Sequence, residues 1–97
     1  MIYHVTKKED WEKALSKGIY ESGSLKSEGF IHTSAINQIT GVLERYFENE
    51  KNLVLLHIDE EKLTSPVKYQ LAETIAEIFP HIFGPINLDA VAKTEEL

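Results

Sequence analysis

The sequence of 97 residues contains no cysteine. Without thiols the chain can form neither disulfides nor zinc–thiolate sites, and it has no cysteine nucleophile. The absence of cysteine also fits the reducing conditions inside a cell. We therefore expect a cytoplasmic protein.

Arginine is almost as scarce, because Arg45 is the only one. The formal net charge is −6, and no basic stripe is present that could neutralise a row of phosphates. Affinity for DNA and RNA comes largely from lysine and arginine, so we expect no nucleic-acid partner. A small anionic ligand held by backbone N–H groups and a few lysines remains compatible with this composition.

Long hydrophobic runs are missing as well, since none approaches the roughly 20 residues that span a bilayer. The first residues also lack the basic region and apolar core of a secretory signal. We expect no membrane partner. With 42% hydrophobic and 27% charged residues, the chain has the composition of one globular domain, covering residues 1–97.

The first half of the chain contains patterns typical of a strand followed by a helix. Residues 2–5 form a short apolar run, and Thr6 with Glu9 fits a capping box that would start a helix over residues 7–17. Gly18 is placed to end this helix in a left-handed conformation. The apolar face of the helix is predicted to contain Trp11, Ala14 and Leu15.

A surface loop over residues 19–28 is expected to lead to a second strand, residues 30–33. Ser34 would then cap a second helix. The apolar stripe of that helix recurs at helical spacing and contains Ile36, Ile39, Leu43 and Phe47.

The second half of the chain is predicted to be mainly strands. Residues 53–58 are apolar without alternation, which indicates a central strand covered on both faces. Asp59 would cap a single turn, and the alternation of Val67, Tyr69 and Leu71 indicates a half-buried strand. Residues 72–79 fit either a helix or a strand. We further expect a stiff loop between Pro80 and Pro85, a strand over residues 87–92 and a frayed tail over residues 95–97.

Histidine is the side chain whose charge changes near neutral pH, and the chain has four. His4 and His32 each precede a hydroxyl residue by two positions, Thr6 and Ser34, which places each pair on one face of its strand. We predict that these four side chains line one pocket, together with His81. The alternative is that Thr6 and Ser34 are only helix caps and that the two rings only fill space.

Other residues have similar alternatives. Gly84 could allow a ligand to approach the backbone, or it could simply form a rigid turn. Tyr3 could offer its hydroxyl to a pocket or pack in the core. His57 is expected to be a packed histidine bonded to backbone. A zinc site formed by His4, His32 and His81 is possible, although the usual local ligand spacings are absent.

The chain resembles the DUF952 family of small bacterial proteins. The residues that carry the resemblance are Ile2-Tyr3-His4 with Thr6; Trp11, Ala14, Gly18 and Tyr20; Glu28 to His32 with Ser34; Gln38; Leu53 to Asp59; and Phe79 to Val91. Phe83 stands where the family often has tyrosine.

The order of these motifs is similar to that of the ADP-ribosyltransferase superfold, in particular the NAD-binding half of RNA 2′-phosphotransferases. The resemblance implies an α+β domain with a split β-sheet and two main helices. It also implies that His4 hydrogen-bonds a ribose hydroxyl of NAD, while His32 and Ser34 border the nicotinamide. Val5 replaces a glycine of the first motif, and no arginine matches those that hold a 2′-phosphate, so phosphotransferase activity is not expected. The late-strand glutamate of protein-modifying transferases has no clear match.

We therefore expect a cleft that binds NAD or a related ribonucleotide, with His4 and His32 as candidate catalytic residues. The expected binding residues are Tyr3, His4, Thr6, His32, Ser34, His81, Gly84 and Asn87. ADP-ribosyl transfer or NAD glycohydrolysis is the enzymatic form of this hypothesis. The alternatives are a non-enzymatic nucleotide- or metabolite-binding module and a histidine-metal hydrolase.

Overall fold

The apolar run Leu53–Ile58 forms the middle strand of a three-stranded antiparallel sheet in the computed structural model, which describes residues 1–97. Its side chains alternate between two separate hydrophobic clusters. Val54, Leu56 and Ile58 belong to the larger cluster, and Leu53 and Leu55 to the smaller one. The prediction of a central strand covered on both faces is confirmed.

Eight strands and three α-helices follow one another along the chain. The strands are β1 (Ile2–Lys7), β2 (Ile19–Tyr20), β3 (Ile31–His32), β4 (Leu53–Ile58), β5 (Val67–Ala72), β6 (Glu77–Ile82), β7 (Ile86–Asn87) and β8 (Val91–Glu96). The helices are α1 (Lys8–Lys17), α2 (Gly23–Glu28) and α3 (Ile39–Tyr46). Short 3-10 helices cover Ile36–Gln38, Glu60–Lys62 and Leu88–Ala90. No helix is long and apolar enough to cross a membrane.

The strands form three antiparallel sheets, with the orders β1-β4-β8, β3-β6-β5 and β2-β7. The first two sheets meet where Tyr3 and Ser34 exchange two backbone hydrogen bonds, with N–O distances of 2.9 and 2.8 Å. This bridge brings the end of β3 beside β1, so the strands that contain His4 and His32 are neighbours. The prediction of an α+β domain is confirmed.

Two predicted helix caps are wrong. Helix α1 follows Lys7, and no side chain caps it, because Thr6 is still part of β1 and its hydroxyl is buried against Tyr20. The second helical segment begins after Ala35, while Ser34 pairs with Tyr3 through its backbone. The backbones of Thr6 and Ser34 are paired with neighbouring strand residues, so neither residue is placed to cap the helix that follows it.

The predicted loop over residues 19–28 is also wrong, because it contains β2 and α2. Strand β2 exists through its pairing with β7, a contact distant in sequence. Helix α2 ends at Gly29, which has a φ of 87°, just as α1 ends at Gly18 with a φ of 88°. The left-handed end of α1 at Gly18 is confirmed.

Several predictions for the second half need correction. Pro80 lies inside β6 rather than in a loop, and its carbonyl accepts a hydrogen bond from Thr33. Residues 87–92 contain a 3-10 helix instead of a continuous strand. The tail is ordered, since β8 pairs with β4 through Glu96. Residues 72–79, which fitted either a helix or a strand, contain the last residue of β5, a turn over residues 73–76 and the first three residues of β6.

Some apolar side chains predicted to be buried are exposed: Leu15, Ile36, Tyr69 and Leu71. Strand β5 is an edge strand, and its outer end has no covering element, which leaves Tyr69 and Leu71 more than half exposed. By contrast, Ile39, Leu43 and Phe47 of the predicted stripe pack against the smaller core cluster. The turn capped by Asp59 is present, and the Asp59 carboxylate accepts from the Glu61 N–H.

Candidate functional site

A cleft of about 840 Å³ opens where β1, the β2–α2 segment, the end of β3 and α3 come together. Sites for small molecules and cofactors typically measure about 300–1,000 Å³, so the cleft is large enough for such a ligand. Its polar lining comes mainly from strand ends and α2. Its apolar lining includes Val42, Tyr46, Phe47 and Phe79.

A buried hydrogen-bonded chain forms one part of the lining. His4 Nδ1 lies 2.5 Å from the carbonyl oxygen of His32, and His4 Nε2 lies 2.8 Å from the hydroxyl of Tyr20. The Tyr20 hydroxyl is in turn 2.8 Å from Thr6 Oγ1. These contacts connect β1, β2 and β3 through side chains.

The protonation of His4 determines the direction of these hydrogen bonds. Burial lowers the pKa of His4 to about 4, so the ring is neutral at pH 7. A carbonyl can only accept, so Nδ1 carries the proton and Nε2 accepts from the Tyr20 hydroxyl. Because the single phenolic proton is used in the bond to His4, the Tyr20 oxygen accepts a hydrogen bond from the Thr6 hydroxyl. Burial raises the pKa of Tyr20 to about 12, which keeps the phenol protonated.

Both ring nitrogens of His4 are therefore used within the protein. His4 fixes the relative positions of Tyr20 and the His32 backbone, which makes it a positioning residue in this structure. Tyr20 is a site residue that the sequence analysis did not select. The signal available was its place in the family motif after Gly18, but only the β2–β7 pairing brings it to the cleft.

A second group of side chains lies at a more exposed part of the cleft. His32 Nε2 donates to a carboxylate oxygen of Glu28 at 2.8 Å, and the ring centroids of His32 and His81 are 5.3 Å apart. The His81 ring stacks on Phe30 with a centroid separation of 4.2 Å, and its Nδ1 lies 2.6 Å from the Gln70 side-chain oxygen.

Partial burial, followed by the nearby charge of His32, lowers the pKa of His81. The neutral ring donates from Nδ1 to Gln70, because an amide oxygen can only accept. Its Nε2 is then left as a hydrogen-bond acceptor. The exposed group therefore offers a ligand both an acceptor nitrogen and the His32–Glu28 pair.

Ser34 combines strong burial with an unused hydroxyl. The residue is only 7% exposed and lines the cleft. Its backbone is paired with Tyr3, and its hydroxyl makes no hydrogen bond within the protein. Because no fully buried polar side-chain atom of the protein lacks a partner, the Ser34 oxygen must reach the surface of the cleft, where a ligand or water can bond to it.

Five of the predicted site residues line the cleft: His4, Thr6, His32, Ser34 and His81. The structure does not bring Tyr3, Gly84 or Asn87 to it. Tyr3 packs edge-on against His57, with ring centroids 5.0 Å apart. The half-buried His57 bonds to the Glu95 carboxylate at 2.6 Å rather than to backbone.

Gly84 and Asn87 have structural contacts elsewhere. A Cβ at Gly84 would lie 2.4 Å from the Ser65 hydroxyl oxygen, so the glycine is needed for close packing with Ser65. Asn87 accepts from the backbone N–H of Thr64 at 3.0 Å and donates to the carbonyl of Lys62 at 2.9 Å. Asn87 thereby holds the loop before β5.

No three side chains among the histidines, aspartates and glutamates are arranged to hold a metal ion. His4 cannot act as a ligand without giving up either Tyr20 or the His32 carbonyl. The arrangement of three histidines around one metal is therefore not formed in this structure.

Comparisons with known proteins extend the sequence resemblance. Residues 5–94 match the model of a family described as protein of unknown function (DUF952). The X-ray structure of protein CC0527 from Caulobacter crescentus superposes with a TM-score of 0.90 at 30% identity, and the match covers 99% of this chain and 84% of that one. The solution NMR structure of CC0527 gives a TM-score of 0.84 at 30% identity, covering 99% and 83%.

No curated protein matches the sequence. The family match spans most of the chain, and a relative with 30% identity shares its fold. This chain belongs to the DUF952 family.

Proposed function

We propose that the cleft binds a ribose-containing small molecule, NAD or a related ribonucleotide. The observation that carries the proposal is the meeting of the two strand motifs, His4 with Thr6 and His32 with Ser34, in one cleft. The His4–His32 hydrogen bond joins them directly. This is the arrangement expected from the resemblance to the NAD-binding half of RNA 2′-phosphotransferases.

We also propose that the fold is ADP-ribosyltransferase-like. The backbones of two three-stranded antiparallel sheets, β1-β4-β8 and β3-β6-β5, are paired only at the short bridge between Tyr3 and Ser34. Beyond that bridge they separate, which supports the expected split sheet. The cleft lies beside the point of separation, where two sheet edges offer side chains to one ligand.

The ligand contacts differ from those that the resemblance implies. His4 could hydrogen-bond a ribose hydroxyl only if Tyr20 first released Nε2. Ser34 and His32 are better placed to contact a ribose, because the hydroxyl of Ser34 is free and the ring of His32 is exposed. The nucleobase or nicotinamide ring would pack on the apolar side chains of α3 and Phe79.

Glycohydrolysis of NAD is the enzymatic form that one observation favours, namely Glu28 bonded to His32 at the cleft. The bond between ribose C1′ and the nicotinamide nitrogen would break, with its electron pair leaving on nicotinamide. Water would add to C1′ and lose a proton to solvent. The Glu28 carboxylate would stabilise the positive charge that develops on the ribose.

Amide NMR titration with NAD, ADP-ribose and nicotinamide tests binding. We expect saturable shifts clustered at His4, Tyr20, His32 and Ser34, and these shifts should weaken in Ser34→Ala. His57→Gln is a matched control, since His57 lies outside the cleft. If none of the three compounds causes shifts at millimolar concentration, the proposed function is wrong.

Nicotinamide release from NAD tests turnover in the same samples. Glycohydrolysis predicts release that falls at least about tenfold in Glu28→Gln, because the oxocarbenium charge loses its partner. Binding without release would indicate a non-enzymatic binding module, whereas release that is unchanged in Glu28→Gln would show that Glu28 does not stabilise the developing charge.

A further inference from the structure

The ionised side chains that line the cleft are mostly acidic. With the histidines counted as neutral, they are Lys7, Asp10, Glu21 and Glu28, which gives one positive and three negative charges, a net charge of −2. Lys7, the only cation among them, is already 3.7 Å from Glu50 outside the cleft. No arginine lines the cleft, although Arg45 lies over the ring of the lining residue Tyr46, 5.7 Å from the ring centroid. A pyrophosphate in the part of the cleft near Asp10 and Glu28 would therefore meet a negative environment with little compensating charge.

Not all three carboxylates are equally free. Glu21 is paired with Lys17 at 2.5 Å, and Glu28 accepts from His32. Asp10 lines the cleft and has no ion-pair partner. Asp10 is thus the main source of negative potential, and the Glu28 carboxylate adds to it.

Ser34 gives an independent sign that the cleft is built for a ligand. The residue is 93% buried, and its hydroxyl, which reaches the cleft surface, bonds to no protein group, whereas the buried side chains of His4, Thr6 and Thr33 all have protein partners. A hydroxyl can donate to or accept from an uncharged ligand hydroxyl equally well. It therefore suits a ribose and needs no charge on the ligand.

Combining these observations, we propose that the cleft recognises a cationic pyridinium nucleoside without phosphate groups, of the nicotinamide riboside type. This inference rests on the proposed function and specifies its substrate class. The positive ring lies in the field of Asp10 and Glu28 and against the aromatic ring of Phe79, while a ribose hydroxyl bonds to Ser34. In NAD itself the pyrophosphate and adenosine would extend out of the cleft.

Calorimetric titration at low ionic strength tests the inference with three probes. Nicotinamide riboside is a cation, its reduced form has nearly the same shape without the charge, and ADP-ribose is an anion. We expect the cation to bind about tenfold more tightly than the reduced form, and ADP-ribose to bind more weakly still.

Substitutions in the cleft lining distinguish the contribution of charge to ligand affinity from the contribution of hydrogen bonding. Asp10→Asn should weaken the cation severalfold and leave the reduced form unchanged, whereas Ser34→Ala should weaken both by similar factors. Glu12→Gln is the matched control, because it removes a carboxylate from the same helix outside the cleft.

The outcomes are distinguishable. Equal affinity for the cation and its reduced form, or tighter binding of ADP-ribose, would overturn the inference while supporting a ribonucleotide site. If none of the three probes binds, the proposed function fails together with the inference.

Discussion

At the scale of single residues, His4 shows how burial changes the role of a histidine. Histidine is often selected as an acid or base because its ordinary pKa lies near neutrality. Here burial lowers the pKa of His4 to about 4, and both ring nitrogens bond to neighbouring segments. The ring therefore acts as a neutral connector between three strands.

The stability of the protein should consequently depend on pH through His4. Its folded pKa lies below the unfolded value of 6.5, so the unfolded state binds the proton more tightly. The stabilisation is complete above about pH 6.5 and is lost as pH falls toward 4. Between pH 8 and pH 5 we expect His4 to reduce the free energy of unfolding by about 2 kcal/mol.

Urea unfolding of the wild type and of His4→Gln checks this expectation. Glutamine can keep one or both hydrogen bonds but does not titrate, so the variant should show a flatter pH dependence. His81, whose pKa is lowered as well, contributes the same slope to both proteins. Parallel pH profiles for the two proteins would contradict the assignment of His4.

Two glycines offer a second comparison at this scale. A Cβ at Gly84 would lie 2.4 Å from the Ser65 oxygen, whereas one at Gly23 would meet nothing within 4 Å. Gly84→Ala should cost about 1–3 kcal/mol through overpacking. Gly23→Ala, at the start of α2, should be neutral or slightly stabilising. Thermal denaturation of both variants measures the difference, and equal costs would show that Gly84 does not pack as described.

At the scale of elements, strands β4 and β5 differ in how their apolar side chains are used. Leu56 in β4 is completely buried, while Leu71 in the edge strand β5 is 60% exposed. The sequence of each segment predicts a strand. The burial of its leucine, however, depends on how many other elements pack over that strand. The alternation of side chains in β5 could not reveal that no other element packs over Tyr69 and Leu71.

Matched leucine truncations test this difference. Leu56→Ala should lower the free energy of unfolding by about 2–5 kcal/mol, because it leaves a cavity in the larger core cluster. Leu71→Ala should change it by about 0.5 kcal/mol or less. Chemical denaturation gives both values. A large loss in Leu71→Ala would mean that the outer end of β5 is covered in solution.

The elements that the sequence predicted well are those set by local patterns. The run in β4, the end of α1 at Gly18 and the turn after Asp59 each depend on residues close in sequence. Strand β2 and the passage of β6 through Pro80 depend on distant partners. Local turn signals therefore predicted loops where long-range pairing produces strands.

The candidate site shows the same division. Period-two alternation correctly placed His4 with Thr6, and the bridge between Tyr3 and Ser34 brought the second motif beside them. Tyr20 was missed because its contact with His4 crosses between segments that no local pattern connects. Asn87 and Gly84 were selected because they belong to the family motif near the end of the chain. In the structure, however, they contact Thr64 and Ser65 in the loop before β5 and do not line the cleft.

At the scale of the whole molecule, the cleft lies beside the two larger sheets, whose backbones are paired at a single two-residue bridge. A ligand that contacts β1, the end of β3 and α3 at once would add connections between them. Because it binds only the folded state, it should stabilise the whole domain rather than one element.

Thermal unfolding with nicotinamide riboside tests this coupling. At a ligand concentration one hundred times Kd, the expected stabilisation is about 2.7 kcal/mol. For a domain of this size that corresponds to a rise in Tm of about 10 °C or more. Ser34→Ala should need a higher ligand concentration for the same rise, because its site lacks the buried hydroxyl. Amide hydrogen exchange should slow in both β4 and β6, whereas slowing confined to one sheet would show that the ligand does not connect them.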